Sequence, residues 1–414
     1  MTITPYAGTI FWLITVIFIA CYTVFQRTQA SLLTRNCFMI SVSLLVISLA
    51  VSNSSVLIPL LLALTAIVYF TGRYLAENKG IKKNRIITVV IVMIILFLCY
   101  FKYSIIQSFF NNLLQGGLPL SASGQHIFFI GVSYFSFKFI HFLVESRNGK
   151  IHDLNLLTFI NYTLFFPSFF SGPINRYTAF AESIATGSDL RRNLLKGIQR
   201  IITGLFKKIV LGDSLYPFSI AALDISTARQ TDIVIGVYAY MLYIYFNFSG
   251  YTDMAIGCGR MVGIDLPENF NYPFFKRNLQ QFWANWHMSL TTWLTDYIYW
   301  PLARKFRNIQ KLRKKPVTIS NICIVITFLV CGLWHGDGLN FILWGLYHGI
   351  GLAILNGYTH FIKKHTSRNI KKFVHNSPVA YGISNIITFQ YVALGFLLFA
   401  CDMEKLSRIS SLFF

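Results

Sequence analysis

The sequence predicts an all-α protein that crosses a membrane many times, and three observations lead to this prediction. Hydrophobic residues make up 55% of the 414 residues, whereas charged residues make up only 12%. The mean hydropathy of the chain is +0.55. The apolar residues also come in long blocks, and roughly 17–25 apolar residues span a bilayer as a helix. We therefore expect one integral membrane domain over residues 1–414, a helical bundle of about ten or eleven membrane segments.

The loops between the first five predicted spans are alternately charged and uncharged. These spans cover residues 10–24, 37–51, 56–70, 86–103 and 127–144. Lys and Arg collect in the loops near residues 30, 78 and 150. Because Lys and Arg mark cytoplasmic loops, this pattern places the N-terminus outside.

The middle of the chain departs from simple spans. Residues 156–170 run into Pro167 and a Ser-Gly-Pro stretch, which predicts a broken or re-entrant segment. Residues 190–213 place six Lys and Arg between apolar residues at helical spacing, which is typical of an amphipathic helix on the cytoplasmic surface. Residues 233–248 then form another predicted span.

The C-terminal third combines dense aromatic residues with the most basic loop. Three tryptophans recur every seven residues within 280–300, which favours a tilted or interfacial helix. Residues 304–315 carry seven Lys and Arg, so this loop is predicted to be cytoplasmic. Three further spans follow and place the C-terminus outside: 319–333, 341–355 and 383–400.

Several classes of function are excluded by what the sequence lacks. The formal net charge of +21 does not indicate a nucleic-acid partner, because no soluble basic domain carries it. The seven cysteines are scattered through apolar blocks without a CxxC pair, so we expect neither a disulfide framework nor a metal site. HExxH and GxSxG patterns are also absent, which argues against a metalloprotease or a nucleophile-elbow hydrolase.

His335 is the strongest candidate for a catalytic residue. It follows Trp334 at the end of an apolar run, where an ionisable side chain is by default a candidate functional group. Gly332, Gly336 and Gly338 bracket it, so the backbone there could approach a ligand closely. Imidazole is the usual general base near neutral pH. We expect His335 to act as a base at the outward end of its span.

His287, which follows Trp286, is the second candidate. It shares a predicted helical face with Trp283 and Leu290, and we expect it to orient the substrate or to stabilise a developing oxyanion. A purely structural core histidine is the alternative. The residues expected to bind substrate flank the two histidines: Trp283, Asn285, Trp286, Trp334 and Asp337.

Other reactive residues leave alternatives open. His348 lies within an apolar block and fits either a hydrogen-bonded core histidine or a functional group. His126 and His141 flank the fifth predicted span and are expected to lie at its boundaries. Cys331 lies one helical turn before His335, which makes a Cys–His nucleophile conceivable. Spacing does not decide which of the nearby acids would pair with a histidine or with Arg277: Asp253, Asp296 and Asp337.

Six stretches together resemble the membrane-bound O-acyltransferase (MBOAT) family. They are GVSYFSFK at 131–138, FSGPINRY at 170–177, FSGYTDMAIG at 248–257, PENFNYPF at 267–274, FWANWHMSL at 282–290 and LWHG at 333–336. The likeness covers about residues 127–350 in the family's order. It is to the bacterial DltB/AlgI-like branch, which includes teichoic-acid D-alanyl transfer proteins and alginate O-acetylases.

The resemblance implies a helical bundle around a funnel open to the outside, with the catalytic histidine at its base matching His335. His287 matches the second polar position of the family. An acyl thioester on an acyl-carrier protein or acetyl-coenzyme A would donate from the cytoplasm, with no tightly bound cofactor. The acceptor would be a hydroxyl of an envelope polymer outside a bacterial cytoplasmic membrane, reached directly or through a partner protein. The basic stretches 190–213 and 304–315 would suit docking of an acidic donor.

The acyl group stays open between two members of this branch. The chain length, the short C-terminal end and the FSGPINRY stretch look more like D-alanyl transfer proteins, and the overall size favours that choice. The FSGYTDMAIG and PENFN stretches look more like the polysaccharide O-acetylases. A non-enzymatic transporter of an envelope glycolipid is the rival class, although the chain does not show the repeated halves of many transporters.

Overall fold

The computed structural model describes residues 5–6, 8–51, 56–78, 80–113, 131–151, 154–186, 190–367 and 376–413. Within these ranges the secondary structure is helical, and strand-like pairing is confined to an isolated antiparallel bridge between Phe270 and Trp286. The predicted all-α fold class is therefore confirmed.

Eight helices in these ranges are long and apolar enough to cross a membrane. The protein is thus a multi-pass membrane protein. The other predicted membrane segments correspond to shorter helices, which begin at Val132, at Leu156 and at Leu279.

The chain divides into two compact units, each built from two separate stretches. The first unit comprises residues 1–205 and 250–267, and the second comprises residues 206–249 and 268–414. The single membrane domain predicted from sequence stays a prediction. Each unit is described by itself below.

Ten helices precede the first crossover between the units in the described ranges. They are α1 Thr9–Arg27, α2 Leu32–Ala50, α3 Leu57–Glu77, α4 Ile81–Lys102, α5 Ser104–Leu113, α6 Val132–Arg147, α7 Leu156–Leu164, α8 Phe166–Phe169, α9 Tyr177–Thr186 and α10 Leu190–Leu205. The predicted break in 156–170 is confirmed, because α7 ends at Leu164 and a separate short helix begins at Phe166, with Pro167 in its first turn. Such a proline lacks an N–H for helix continuation.

The fifth predicted span lies in the buried interior of the first unit. Its residues 127–130 and His126 lie outside the described residues, and α6 covers the rest. The expectation that His141 is a boundary residue was wrong. His141 is only 3% exposed, and its Nε2 accepts a hydrogen bond from the backbone N–H of Tyr177 at 3.0 Å. A buried imidazole needs such a partner, which hydropathy does not reveal.

The Ser-Gly-Tyr-Thr-Asp stretch belongs to the helix Gln230–Met261 and packs closely against α10. A Cβ at Gly204 would lie 2.6 Å from the carbonyl oxygen of Gly250, and one at Gly197 would lie 2.8 Å from that of Gly257. Between these contacts Arg200 Nη2 lies 2.7 Å from Asp253 Oδ1. Small residues permit such close approach of membrane helices. The stretch therefore holds two helices together, and Asp253 pairs with Arg200.

The second unit contains the helices that carry the two candidate histidines. After a π-helical turn Phe206–Gly212 come α11 Asp213–Leu215, a 3₁₀ turn Tyr216–Phe218, α12 Gln230–Met261, a 3₁₀ turn Pro273–Phe275, α13 Leu279–Trp283, α14 Met288–Leu294, a π-helical turn Thr295–Tyr299, α15 Trp300–Arg307, α16 Gln310–Arg313, α17 Pro316–His335, α18 Leu339–His365, α19 Pro378–Ala400 and α20 Met403–Phe413. Residues 250–261 of α12 belong to the first unit.

Glycines allow α17 and α18 to pack as a tight hairpin. A Cβ at Gly345 would lie 2.5 Å from the carbonyl oxygen of Phe328. A Cβ at Gly349 would lie 3.1 Å from the Cα of Val325. Close backbone contact of this kind fixes the register of the two helices, so His335 at the end of α17 has a defined position relative to α18.

The single helix predicted over 280–300 was wrong. Helix α13 ends at Trp283, and the next helix begins only at Met288. The cause is Asn269, whose backbone oxygen accepts a hydrogen bond from Met288 N–H at 3.0 Å. Its side-chain oxygen accepts another from Ser289 N–H at 3.2 Å. Because these N–H groups bond to a segment before α13, the helix restarts at this point.

Candidate active site

His335 occupies the C-terminal residue of α17 inside a group of aromatic rings. The centroid of its ring lies 4.6 Å from that of Trp334, 5.0 Å from that of Trp344 and 4.9 Å from that of Phe399. The side chain is half-buried. The apolar rings hold the imidazole in place while part of it stays open to a reactant, which suits a group that exchanges protons.

The glycines around His335 serve packing. A Cβ at Gly332 would meet the backbone of Phe341 and Gly345, and a Cβ at Gly336 would meet the ring of Phe341. Gly332 and Gly336 thus pack closely against α18, and the expectation that the backbone here approaches a ligand stays a prediction. Cys331, one turn before His335, is 2% exposed and packed in the same helix.

His287 has an unusual backbone conformation that the sequence did not reveal. Its φ is +44° and its ψ is +52°, in the left-handed region that side chains other than glycine rarely adopt. The bridge between Trp286 and Phe270 precedes His287, and the bonds from Met288 and Ser289 to Asn269 follow it. The conformation turns the imidazole inward, where it is 5% exposed and lies 4.6 Å from the ring of Phe248. Strained residues of this kind cluster at functional sites.

The structure brings the two predicted catalytic histidines to the same aromatic residue. The ring centroid of Trp334 lies 6.4 Å from that of His287 and 4.6 Å from that of His335. A shared neighbour of this size places both imidazoles at one site. The roles of these histidines in catalysis stay predictions.

Trp283 links His335 to a cavity in the second unit. Its ring centroid lies 5.6 Å from that of Trp344, which in turn contacts His335. Trp283 also lines a cavity of about 370 Å³ between α13, α14, α17 and α18. Phe328 and Asn356 are among the other residues that line it. A cavity of this volume lies within the range of small-molecule sites.

The other predicted substrate-binding residues occupy different positions. Trp286 stacks on Phe282 with ring centroids 5.6 Å apart and lies 5.2 Å from the ring of Phe396. Asn285 directs its side-chain amide to the backbone oxygen of Gln281 at 2.8 Å. Asp337 is exposed two residues beyond the end of α17. Trp286 and Asn285 therefore support the turn that holds His287, whereas Asp337 lies at the surface near His335.

Trp344 and His348 also lie at the site. The sequence analysis proposed no role for Trp344 and did not decide whether His348 is structural or functional. The rings of these two residues lie 5.1 Å apart, and His348 lies 5.1 Å from Trp283. His348 is 2% exposed, and its Nδ1 has no hydrogen-bond partner within the ranges that the structure describes. The signal that could have identified them is the four-residue spacing of Trp344, His348 and Leu352 along one helix face.

The site offers imidazoles and indoles. No group of three or more His, Cys, Asp or Glu residues that could hold a metal ion occurs in the described part of the chain. The arrangement can therefore supply proton transfer and hydrogen-bond donors. Two such histidines beside one tryptophan in a multi-pass membrane protein suit a membrane-embedded transferase.

Comparison with known proteins identifies the class. The family model described as MBOAT, membrane-bound O-acyltransferase family, matches residues 79–398. The teichoic acid D-alanyltransferase of Bacillus subtilis (strain 168) is 30% identical over 279 residues, which cover 66% of this chain and 69% of that protein. The teichoic acid D-alanyltransferase of Streptococcus thermophilus is 31% identical over 293 residues, with coverage of 67% and 69%.

A probable alginate O-acetylase, AlgI of Azotobacter vinelandii, is 32% identical over 298 residues. These residues cover 70% of this chain but only 58% of that longer relative. The chain thus belongs to the membrane-bound O-acyltransferase family, and it is an acyltransferase.

Proposed function

We propose that this protein transfers a D-alanyl group from a cytoplasmic thioester donor to a hydroxyl of an extracytoplasmic envelope polymer such as a teichoic acid. The observation that carries the proposal is the chain of contacts from the 370 Å³ cavity through Trp283 and Trp344 to His335. A donor in the cavity would have its thioester directed towards the proposed base.

The basic stretch 304–315 supports entry of the donor beside this cavity. None of its seven Lys and Arg side chains forms an ion pair with Asp or Glu among the residues that the structure describes. A second cavity, of about 500 Å³, is lined by Arg307, Asn308 and Arg313 at the start of α17. Unpaired cations there would attract an acidic carrier protein or the phosphate of its prosthetic arm. An ordinary positive-inside loop is the alternative explanation.

The proposed reaction uses His335 as a general base. The imidazole of His335 takes the proton of the acceptor hydroxyl as its oxygen attacks the thioester carbonyl. A new C–O bond forms, the tetrahedral intermediate collapses, and the C–S bond breaks. The leaving thiolate takes up the proton, which restores neutral His335. His287 donates a hydrogen bond to the developing oxyanion, as a fixed donor does in acyl transfer.

The orientation of the protein follows from the charge pattern. The basic loops would lie in the cytoplasm of a bacterium, with both termini outside the cytoplasmic membrane. His335 would then face the outer side, where a polymer or a partner protein presents the hydroxyl. The donor would be an acyl-carrier protein loaded with D-alanine, and no tightly bound cofactor would be needed.

The share of each relative's chain that the alignment covers favours D-alanyl transfer over acetyl transfer. The alignments cover 69% of each of two teichoic acid D-alanyltransferases but 58% of the alginate O-acetylase. Acetyl transfer from acetyl-coenzyme A remains the second candidate, because the identity to that O-acetylase is 32%. An envelope glycolipid transporter is not favoured, since the family consists of acyltransferases.

The test is a transfer assay in membranes that carry the protein together with its acceptor polymer. One reaction receives a carrier protein loaded with labelled D-alanine, and a parallel reaction receives labelled acetyl-coenzyme A. We expect label in the polymer only from the D-alanyl donor. Because general-base catalysis contributes about 10²–10⁴-fold, His335→Gln should lower the rate by that factor.

The outcomes separate the candidates. Label from acetyl-coenzyme A alone would replace D-alanyl by acetyl transfer. An unchanged rate in His335→Gln would remove His335 as the base, and Cys331→Ser would then test a thiol nucleophile. The matched control is His360→Gln, because His360 lies near the basic end of α18 and should leave the rate unchanged.

A further inference from the structure

An apolar crevice lies between α12, α19 and α20 in the second unit. Its volume is about 420 Å³, and its lining is apolar except for Tyr238, Gln390 and Ser410. The hydroxyl of Tyr238 donates to Oε1 of Gln390 at 2.5 Å, so these two polar groups satisfy each other. Apolar cavities stay dry. Phe399, which contacts His335, lies nine residues after Gln390 and thus on the opposite face of α19.

The crevice has the depth of one leaflet of a bilayer. Gln390 lies ten residues before the end of α19 at Ala400, which is about 15 Å along the helix. Tyr238 lies eight residues after the start of α12 at Gln230, which is about 12 Å. Both helix ends lie next to α20, because α20 follows α19 after two residues and Nε2 of Gln230 donates to the backbone oxygen of Leu412 at 2.6 Å. The hydrocarbon core is about 30 Å thick, so Tyr238 and Gln390 lie near its middle.

Helix α20 is amphipathic and covers the shallow end of the crevice. Leu406, Ile409 and Phe413 line the crevice at helical spacing, which is typical of a helix at the membrane–water boundary. Ile409 is 6% exposed, whereas Phe413 is 42% exposed. The apolar face of α20 is thus only partly covered by the protein, and the space beneath it stays unfilled.

A single acyl chain suits this space better than a helix of another protein. A transmembrane helix with its side chains is about 10 Å across, so 12 Å of it occupies about 900 Å³, whereas the crevice has about 420 Å³. A gap between apolar atoms forfeits van der Waals contacts, and a flexible hydrocarbon chain restores them. The length, width and chemistry of the crevice therefore favour one lipid chain.

A lysine beside the crevice complements the headgroup of a phospholipid. Nζ of Lys405 contacts two backbone oxygens, the nearer of them that of Leu223 at 2.9 Å, and forms no ion pair within the described ranges. An ammonium group has three donors, so one more acceptor can bind. The acids close to these residues in sequence have other partners: Glu404 pairs with Arg408, Asp402 accepts the backbone N–H of Lys405, and Asp224 accepts from Ser226. A lipid phosphate would therefore find a cation at the level of α20.

We propose that this crevice binds one acyl chain of a membrane phospholipid. The phosphate lies beside Lys405, and the chain runs beneath α20 to Tyr238 and Gln390. This site goes beyond the proposed function, because it requires no acyl transfer. The bound chain fills the space that the protein leaves and holds α20 against α12 and α19. A lipid that binds only the folded protein stabilises it by mass action.

The test is photolabelling of the full-length protein in phosphatidylcholine nanodiscs. A small fraction of phosphatidylglycerol carries a diazirine at the end of one acyl chain, and peptide mass spectrometry locates the label. We expect several-fold more label at Val237, which lines the crevice and is 8% exposed, than at Ile235, which is 60% exposed and lies outside it. Diacylglycerol with the same labelled chain lacks the phosphate and should label Val237 less.

Two variants fill the crevice from opposite sides. Ser410→Phe places a ring in it from α20 and should lower the label at Val237 to the level at Ile235. Val237→Phe does the same from α12, and the label at Leu394 measures its effect. The matched control is Ser411→Phe, because the neighbouring Ser411 does not line the crevice and its label should equal that of the wild type. Size-exclusion chromatography first shows that each variant is monodisperse.

Three results would overturn the lipid site. Equal label at Val237 and Ile235 in the wild type would mean that the crevice meets only bulk lipid. Label at Ile235 without label at Val237 would mean that protein covers the crevice, either a second copy or a partner helix. Label that both Ser410→Phe and Val237→Phe leave unchanged would mean that the chain binds elsewhere. Equal label from phosphatidylglycerol and diacylglycerol would overturn the assignment of the phosphate to Lys405.

Discussion

The buried histidines of the two units differ in their hydrogen bonds. In the first unit, Nε2 of His141 accepts from Tyr177 N–H at 3.0 Å, and its Nδ1 lies 3.5 Å from Nη1 of Arg176. In the second unit, the Nδ1 atoms of His287 and His348 have no partner in the described chain. An imidazole whose accepting nitrogen already has a donor stabilises a fold, whereas one with an open nitrogen can meet a substrate.

The same difference separates other polar groups in the family motifs. Lys138 of the first unit donates to the backbone oxygen of Tyr162 and to Oγ of Ser168, both at 3.0 Å. The indoles of Trp283 and Trp344 in the second unit contact rings instead. The contrast is not absolute, because the side chain of Asn175 also lacks a partner in the described ranges. The buried polar side chains thus fall into two sets. In the structural set, which includes Lys138 and His141, they have hydrogen-bond partners within the protein; in the open set, which includes Trp283, His287 and His348, an atom lacks one in the described ranges.

Of the variants that test this difference between the units, those of His287 should have the largest effect, because they remove an open imidazole. Both His287→Gly and His287→Ala should lower the transfer rate by about 10²–10³-fold, the usual effect of losing an oxyanion donor. The two variants should differ in stability. Glycine relieves the strain of φ +44°, so His287→Gly should be more stable than His287→Ala by about 1 kcal/mol.

Transfer rates and equilibrium unfolding in mixed detergent micelles measure the two effects separately. Wild-type rates in both variants would assign His287 to the structural set. A less stable glycine variant would show that the left-handed backbone is not strained.

Breaking the Arg200–Asp253 pair should affect stability instead of chemistry. Asp253 is 3% exposed and the side chain of Arg200 is 29% exposed, so Asp253→Asn leaves a partly buried cation uncompensated. Loss of one partner in a fully buried pair costs about 3–5 kcal/mol, and we expect about 2–3 kcal/mol here. Unfolding in mixed micelles measures the loss.

The control for this pair is the exposed ion pair between Arg73 and Glu77, whose side chains are 55% and 57% exposed. Glu77→Gln should cost less than about 1 kcal/mol. Equal losses in the two variants would contradict the view that the Ser-Gly-Tyr-Thr-Asp stretch fastens α10.

Replacing His141 directly tests the difference between the histidines. His141→Leu removes the imidazole that accepts the hydrogen bond of the Tyr177 N–H, which should cost about 1–3 kcal/mol of stability. The rate per folded molecule should stay within about twofold of the wild type, because a satisfied imidazole does not act on substrate. Rates are normalised to the monodisperse fraction. A rate loss as large as that of His287→Ala would abolish the distinction.

The hydropathy of the sequence predicted the membrane helices, because a membrane helix depends on the apolar residues of its own segment. The predicted span 10–24 lies within Thr9–Arg27, and 383–400 lies within Pro378–Ala400. The family motifs likewise led to His335 and His287, and the structure brings both to Trp334.

Long-range contacts account for what the sequence did not predict. The break before α14 depends on bonds to Asn269, about twenty residues earlier. The partner of Asp253 lies 53 residues away. The open nitrogen of His348 depends on which side chains surround it, since hydropathy alone does not distinguish a satisfied core histidine from an open one.

The smallest expected effect comes from moving His348 without removing it. Gly395 of α19 lies against this imidazole, and a Cβ at 395 would overlap Nε2 of His348. Gly395→Ala should therefore displace the ring and raise the KM for the acyl donor by a few-fold, about the effect of one weakened hydrogen bond. The dependence of kcat on pH should stay that of the wild type, because His335 contacts Phe399 and Trp344 rather than residue 395.

Gly382→Ala is the matched control on the same helix. A Cβ at 382 would have no atom within 4 Å among the described residues, so this variant adds the helix propensity of alanine without a clash. Its KM should equal that of the wild type. If Gly395→Ala also leaves KM unchanged, the position of His348 does not matter to the donor, and His348 joins His141 in the structural set. If KM rises only in Gly395→Ala, the position of His348 matters to donor binding.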